Sequence, residues 1–299
     1  EIIYNGPIRS GAAGNFANVS KNNLIDSDSG NYTKNPEKIV RCLNCNLVSL
    51  FQKTLANDFY QSKEYREKYN NTHDIDHIID LHKHEQLPRF TQIGDELIRD
   101  KVVLDNGCGH GGFLDFVKDL TKKRVAIEPT ESFHKSLSER GNDVYSNAEE
   151  AMATWQNAID TVISTGVIEH VDDPLMYLKD SYALLKKGGS IFIETDNLDD
   201  ILCSLDIEEF KKFYYRTVHL WYFNYASLEN LLQKAGFENI EVSFQHTLDI
   251  SNYSIWLKDR KPSGKGKIDQ FDKSINQYWK TYLESKGQSD LVCITAQKK

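Results

Sequence analysis

Residues 101–114 read Lys-Val-Val-Leu-Asp-Asn-Gly-Cys-Gly-His-Gly-Gly-Phe-Leu, and the reading of this stretch decides the fold. The apolar triplet Val102–Leu104 predicts a short buried strand that ends in Asp105. Gly107, Gly109 and Gly111 then make a turn that no side chain crowds, and Phe113, Leu114, Val117 and Leu120 follow at helical spacing. A strand, a glycine turn and a helix N-terminus in that order present bare backbone N–H groups to a ligand. A purely structural turn uses glycine in the same way, so the neighbouring segments must decide.

Arg124–Glu128 carries a second apolar run, Val-Ala-Ile, closed by Glu128. An acid about 20 residues beyond the glycine turn can take both hydroxyls of a ribose. Two nucleotide classes share this arrangement, nicotinamide dinucleotides and S-adenosylmethionine. A diphosphate calls for Gly-x-Gly-x-x-Gly, whereas here Asp105 precedes the glycines. An acid in that place suits a sulfonium and an amino group, which favours S-adenosylmethionine over a nicotinamide cofactor.

These segments resemble the class I S-adenosylmethionine-dependent methyltransferases. Val-Leu-Asp-Asn-Gly-Cys-Gly-His-Gly looks like their first motif and Ala-Ile-Glu-Pro like their second. Ser146–Glu149 stands where the family meets the adenine. Ile159–Ser164 reads as the fourth strand, and Gly166–Pro174, with Glu169-His170 inside it, resembles the segment after that strand. Leu184–Ile193 resembles the approach to the fifth strand. Asn106 replaces a common Ile or Val, and Glu194-Thr195-Asp196-Asn197 departs from the usual sequence after strand five.

The resemblance implies an α/β, Rossmann-like, doubly wound sheet of seven strands in the order 3-2-1-4-5-7-6, with strand 7 antiparallel. It implies that Asp105, Gly107, Cys108, Gly109, Gly111, Glu128, Pro129, Asn147, Ala148, Thr165 and Gly166 hold S-adenosylmethionine, which leaves as S-adenosylhomocysteine.

The chain divides into an N-terminal cap (1–50), a helical segment (51–100) expected to fold over the cofactor, and the core from 101 to 299. Asp173 and Pro174 open a helix that ends before Gly188-Gly189. A helix over Ser227–Lys234 stops at Gly236. Ile240, Val242 and Phe244 alternate as strand six, and Leu291–Gln297 reads as strand seven. Between those two strands lies an insertion, about 246–290.

The chain has 299 residues, of which 39% are hydrophobic, which suits one α/β domain with extensions. It has no run of roughly 18–20 apolar residues and no visible secretory signal. The net charge of −8 argues against a nucleic-acid acceptor. Five scattered cysteines do not make a disulfide framework, which implies a reducing, cytoplasmic setting.

Cys42-Leu43-Asn44-Cys45 is half of a zinc site, flanked by Ile39–Arg41 and Leu47–Leu50 as strands. Sugar-modifying relatives of the family begin with a zinc-ribbon-like module whose second knuckle is similar. Their first Cys-x-x-Cys falls upstream of the position of Glu1, a residue that is not Met. A metal-free hairpin is the alternative.

Methyl transfer asks the protein mainly to align an in-line displacement. An alcohol acceptor also needs a general base. His170 follows strand four, and His219 lies in Arg216–Phe223, which resembles a substrate-side segment of the family. Either histidine is a base candidate or an ordinary packed histidine. Arg216, Tyr222, Asn197 and Asn252 are the expected acceptor contacts, and Arg9, Arg216, Lys258 and Arg260 could meet phosphates, Arg being suited to bidentate contacts. His73, His77, His82 and His84 form the densest histidine cluster, and Tyr65, Tyr69 or His82 could touch the cofactor. Glu169-His170 resembles a metal-binding pair of some quinone methyltransferases.

The opening Ile3–Gly11, the Cys-x-x-Cys and Ser251–Leu257 resemble enzymes of bacterial capsule and lipopolysaccharide clusters. That resemblance implies O-methylation of a sugar, nucleotide sugar or phosphate-bearing small molecule, with no nucleic acid and no membrane span involved. C-methylation of a keto-sugar and a non-catalytic S-adenosylmethionine-binding role stay open.

Overall fold

The computed structural model describes residues 1–9, 32–33, 35–51, 75–264 and 266–299, and within 75–81 the side chains of residues 79 and 80 only. The strands, in chain order, are β1 (Ile2–Gly6), β2 (Glu37–Arg41), β3 (Val48–Leu50), β4 (Val102–Asn106), β5 (Lys123–Ile127), β6 (Asp143–Tyr145), β7 (Ile159–Thr165), β8 (Leu185–Asp196), β9 (Trp221–Tyr222), β10 (Phe237–Gln245) and β11 (Leu291–Lys298). They build two sheets, and the chain separates into two compact units.

The larger unit comprises residues 56–194, 228–242 and 293–299. Its sheet runs β10-β11-β8-β7-β4-β5-β6, which is the expected 3-2-1-4-5-7-6 order, with β11 antiparallel. β4 lies at the centre, parallel to β5 and β7, and all five of its residues are buried. A strand covered on both faces reads as an unbroken apolar run, and Val102–Leu104 is that run. Ile93, Ile98, Val103, Phe113, Val117, Ile163, Phe192 and Cys293 form one continuous core cluster.

Helix ends follow the sequence signals. Asp173 caps Pro174–Leu184 by accepting the N–H groups of Leu175 (2.9 Å) and Met176 (3.0 Å), with Pro174 in the first turn. β10 exists as read, yet Val242 is 45% exposed. β10 is the outermost strand of the sheet, so its alternation gains less cover than that of an interior strand.

The smaller unit comprises residues 1–55, 195–227 and 243–292. The described part of the N-terminal segment is a sheet, β1-β2-β3-β9, which recruits Trp221–Tyr222 opposite Val48 and Ser49. The grouping therefore differs from a boundary at residue 50, because residues 195–227 pack with the N-terminal strands. The reason is an aromatic core: Tyr4, Phe210, Tyr214, Tyr215, Tyr222 and Trp256 are all buried in one cluster. Trp256 meets Phe210 edge-on at 5.1 Å. It belongs to Ile250–Asp259, the first of two helices, with Lys273–Lys286, that fill the 246–290 segment.

Candidate functional site

In the larger unit the backbone after β4 turns over the end of β5. Gly107 and Cys108 donate their N–H groups to the carbonyl of Ile127 at 2.8 and 3.2 Å. Gly107 has φ +94°, and a Cβ there would stand 2.5 Å from Cγ2 of Val167. Only glycine meets both conditions. Gly109, at φ +55°, has no atom within 4 Å of where its Cβ would lie, so its outer face is open. Its N–H donates to Oε2 of Glu128 at 2.8 Å, and the N–H of Thr130 donates to Oε1 at 2.8 Å. The carboxylate is thus fixed by one backbone donor per oxygen, with a further lone pair on each for a pair of hydroxyls.

Asp105 closes β4 and is buried. Burial, reinforced by Glu128 and opposed by Arg89, pushes its carboxyl up to about 7. A cation placed there would find an acid whose ionisation it assists. Asn106 is also buried, and its side-chain amide donates to the Ser181 hydroxyl at 3.2 Å. That bond explains how an amide is tolerated where an aliphatic residue is usual.

Asn147 caps Ala148–Trp155 by accepting the N–H of Glu150 at 2.9 Å, while Glu150 accepts the N–H of Ser146. Thr165 pairs with Glu194 at the end of β7, and the N–H of Gly166 donates to the Glu194 carbonyl. His170 faces Glu169 at 3.8 Å, and Pro129 directly follows Glu128. The expected cofactor residues therefore lie at the carboxyl ends of the parallel strands and in the turns that follow, where such sheets bind ligands. Open space at Gly109, a doubly anchored Glu128 and a cation-seeking Asp105 fit S-adenosylmethionine.

The helix Ile75–Ile93 packs against the helix that follows the glycine turn, Gly112–Phe116. His82 lies over His110 with ring centroids 5.6 Å apart and bonds Glu85 at 3.0 Å, which raises its pKa. Burial, then the His82 charge, pushes His110 down to about 4. Arg89 reaches Glu194 at 3.8 Å. Sequence reading reached His82 and quoted His110 within the first motif without a role, but missed Arg89, which no periodic or motif signal marks. Tyr65, Tyr69 and His73 lie outside the described residues, as does the side chain of His77.

In the smaller unit His219 is 3% exposed, with Nδ1 3.5 Å from Oδ2 of Asp196. Burial raises the Asp196 carboxyl, and the neighbouring Arg216 charge opposes the rise. The approach is of ion-pair length without a hydrogen bond, and it sets a carboxylate beside a buried imidazole, a candidate proton acceptor. Tyr222, expected at the acceptor, instead anchors Arg216. Its hydroxyl accepts the Arg216 N–H at 2.8 Å and lies 3.1 Å from the Arg216 carbonyl.

Two further expected acceptor contacts are engaged within the chain. Asn197 is fully buried, and its amide donates to the carbonyls of Gly287 (3.0 Å) and Ser289 (2.9 Å) and accepts the Asp199 N–H (3.1 Å). Nothing of it is left for a ligand. Asn252 is also buried, inside Ile250–Asp259, and accepts a bond from the Ser263 hydroxyl at 3.0 Å.

Cys42 and Cys45 sit in a turn closed by Asn46 N–H to the Cys42 carbonyl at 2.9 Å. Backbone N–H groups of Asn44 and Cys45 lower the Cys42 thiol pKa. Two thiols do not complete a tetrahedral zinc site, and among the described residues no cluster of three metal-ligating side chains includes either cysteine.

A family profile described as "Methyltransferase domain" matches residues 79–242. The chain is 32% identical over 178 residues to the tRNA U34 carboxymethyltransferase of Haemophilus ducreyi, spanning 54% of this chain and 53% of that protein. It is 34% identical over 104 residues to the ubiquinone biosynthesis O-methyltransferase of Parvibaculum lavamentivorans, spanning 33% of this chain and 41% of that protein. The chain thus spans about half the length, or less, of these curated relatives. Its fold is similar to that of an S-adenosylmethionine-dependent methyltransferase from Thermotoga maritima, with TM-score 0.53 and 22% identity over 77% of this chain and 97% of that one.

Proposed function

The chain belongs to the methyltransferase-domain family, and from that premise we propose that it methylates an oxygen of a small, phosphate-bearing acceptor at the expense of S-adenosylmethionine. When bound, S-adenosylmethionine supplies an electrophilic methyl group on a sulfonium. Asp105 receives the positive end of the donor, and Glu128 takes the ribose hydroxyls. At Gly109 the turn would admit the donor's bulk, because no Cβ stands in the open space there. Asn147 and Ala148 border the adenine.

His219 is the general base. With Asp196 at 3.5 Å, His219 would take the acceptor's hydroxyl proton as the oxygen–methyl bond forms, the methyl–sulfur bond of the donor breaks and S-adenosylhomocysteine leaves. Asp196 stabilises the imidazolium so formed. The single observation that carries this reading is the buried His219 with the half-buried Asp196 beside it, because transfer to an alcohol needs a base and transfer to an already anionic carbon does not. His170, next to Glu169, is the second base candidate.

The acceptor we favour is a sugar, nucleotide sugar or similar phosphate-bearing molecule of surface-glycan biosynthesis. The net charge of −8 supports a small polar ligand over a polyanion. A tRNA acceptor is the second reading, supported by the similarity to tRNA U34 carboxymethyltransferases. A cytoplasmic setting accords with five cysteines that form no disulfide. No helix among the described residues is long and apolar enough to cross a membrane.

Turnover with S-adenosylmethionine and a panel of nucleotide sugars, sugar phosphates, phosphorylated polyols, phenols and unmodified tRNA, read by product mass, tests the assignment. His219→Ala should lower turnover on the active acceptor by about 100-fold or more while leaving S-adenosylhomocysteine affinity intact. Unchanged turnover would remove His219 as base. Donor binding without any product would favour a non-catalytic role.

A further inference from the structure

The smaller unit holds two arginines whose placement the methyl-transfer chemistry does not use. The backbone of Arg9 bridges Tyr32 on one side and Arg216 on the other. The Arg9 N–H donates to the Tyr215 carbonyl at 3.0 Å, and the Thr217 N–H donates to the Arg9 carbonyl at 2.9 Å. Two residues far apart in sequence are thereby held side by side, each carrying a guanidinium.

Among the described residues neither guanidinium has a carboxylate in a salt bridge with it. The Arg9 guanidinium lies 4.4 Å from the centroid of the Phe213 ring, which fixes its plane without supplying a negative charge. Burial, followed by the Arg216 charge, lowers Arg9 to about 10. Nη1 of Arg9 and Nε of Arg216 are both buried and have no hydrogen-bond partner among the described residues. Asp196 is the carboxylate that feels Arg216, and it is already engaged at 3.5 Å with His219. Lys212 lies 4.1 Å from the ring of Tyr32, the residue whose backbone bridges Arg9. In a chain of net charge −8, a cationic corner with buried, unused N–H donors runs against the average.

Like charges held together away from water raise the free energy until an anion enters. A guanidinium presents a planar fork of N–H donors that matches two oxygens of a phosphate. Two forks suit a doubly charged group better than a single carboxylate. We propose that Arg9 and Arg216 form a receptor for a phosphate monoester, and that this phosphate is carried by the acceptor; the second half rests on the methyl-transfer reading above. Tyr222, by clamping the backbone of Arg216, acts as its positioning residue.

The test is titration of inorganic phosphate into the full chain and into Arg9→Met, Arg216→Met and Arg216→Lys, followed by calorimetry and phosphorus NMR. The wild-type chain should bind one phosphate. Each Met variant should lose at least tenfold in affinity, and Arg216→Lys should fall between, keeping the charge but losing the fork. S-adenosylhomocysteine titrated into the same variants should keep its wild-type affinity, which shows them folded and separates failure here from failure of the donor site. No phosphate binding by the wild-type chain, or binding by both Met variants equal to that of the wild type, overturns the receptor. With an active phosphorylated acceptor, Arg9→Met should raise KM at least tenfold with kcat little changed. An unchanged KM overturns the assignment of the phosphate to the acceptor.

Discussion

Replacing Asp105 with asparagine separates the stability of this fold from its ability to hold a cation. Burial pushes the Asp105 carboxyl from 3.8 to about 7, so its neutral form is the one the folded chain prefers. A folded-state pKa above the unfolded value means that the stabilisation is complete below about pH 4 and is lost as pH rises through about 7. With about 1.4 kcal/mol per pKa unit, the loss is about 1.5 kcal/mol at pH 5 and about 4 kcal/mol at pH 8. An asparagine in that place has nothing to ionise and suffers neither. Asp105→Asn should therefore gain about 2–3 kcal/mol on the wild-type chain between pH 5 and pH 8, visible as a relative gain of several degrees in melting midpoint. Donor affinity should move the other way. The variant should bind S-adenosylmethionine at least about tenfold more weakly, and wild-type binding near pH 7 should release a proton, seen as a dependence of the binding heat on the buffer. Paired melting curves of the two proteins at several pH values measure the first effect. If the gap between them does not widen with pH, Asp105 is ionised and well solvated in the folded chain, and the reasoning about its environment is wrong.

The glycine turn makes a contrasting pair of expectations. Gly107→Ala, with its Cβ 2.5 Å from Val167, should destabilise the chain by about 2–4 kcal/mol; Gly109→Ala, with no protein atom within 4 Å, should cost about 1 kcal/mol of stability yet block donor binding. Denaturant melts alongside S-adenosylhomocysteine titrations distinguish the two, and equal effects of both substitutions on both readouts would refute the division. Asn197→Ala strips partners from the carbonyls of Gly287 and Ser289 and from the Asp199 N–H, and should cost about 3 kcal/mol in a denaturant melt. A loss below about 0.5 kcal/mol would return Asn197 to the acceptor side.

Strand order and the donor cradle were legible in the sequence because both depend on local signals. Val102–Leu104 is a continuous apolar run, Gly107 needs a backbone that only glycine adopts, and Asp173-Pro174 marks a helix start that needs no partner elsewhere. The acceptor side was not legible for a physical reason. Asn197 and Asn252 look like polar contacts for a ligand in sequence, but each is spent on chain groups brought close by folding, with Gly287 and Ser289 some 90 residues from Asn197. Arg9 and Arg216 could each be named in the sequence as a phosphate contact, but their pairing could not, because the bridge that sets them side by side joins residues separated by most of the chain. Tyr222 illustrates the same limit, since its hydroxyl is occupied by a backbone six residues away.

The central claim is that the turn between Asp105 and Glu128 holds S-adenosylmethionine and not a dinucleotide. Calorimetric titration of S-adenosylhomocysteine and, separately, of NAD into the wild-type chain and Glu128→Ala tests it most directly. The account predicts one site for S-adenosylhomocysteine, weakened about tenfold or more by Glu128→Ala through the lost charged hydrogen bonds, and no heat with NAD. Saturable binding of NAD, or S-adenosylhomocysteine binding indifferent to Glu128, would contradict it.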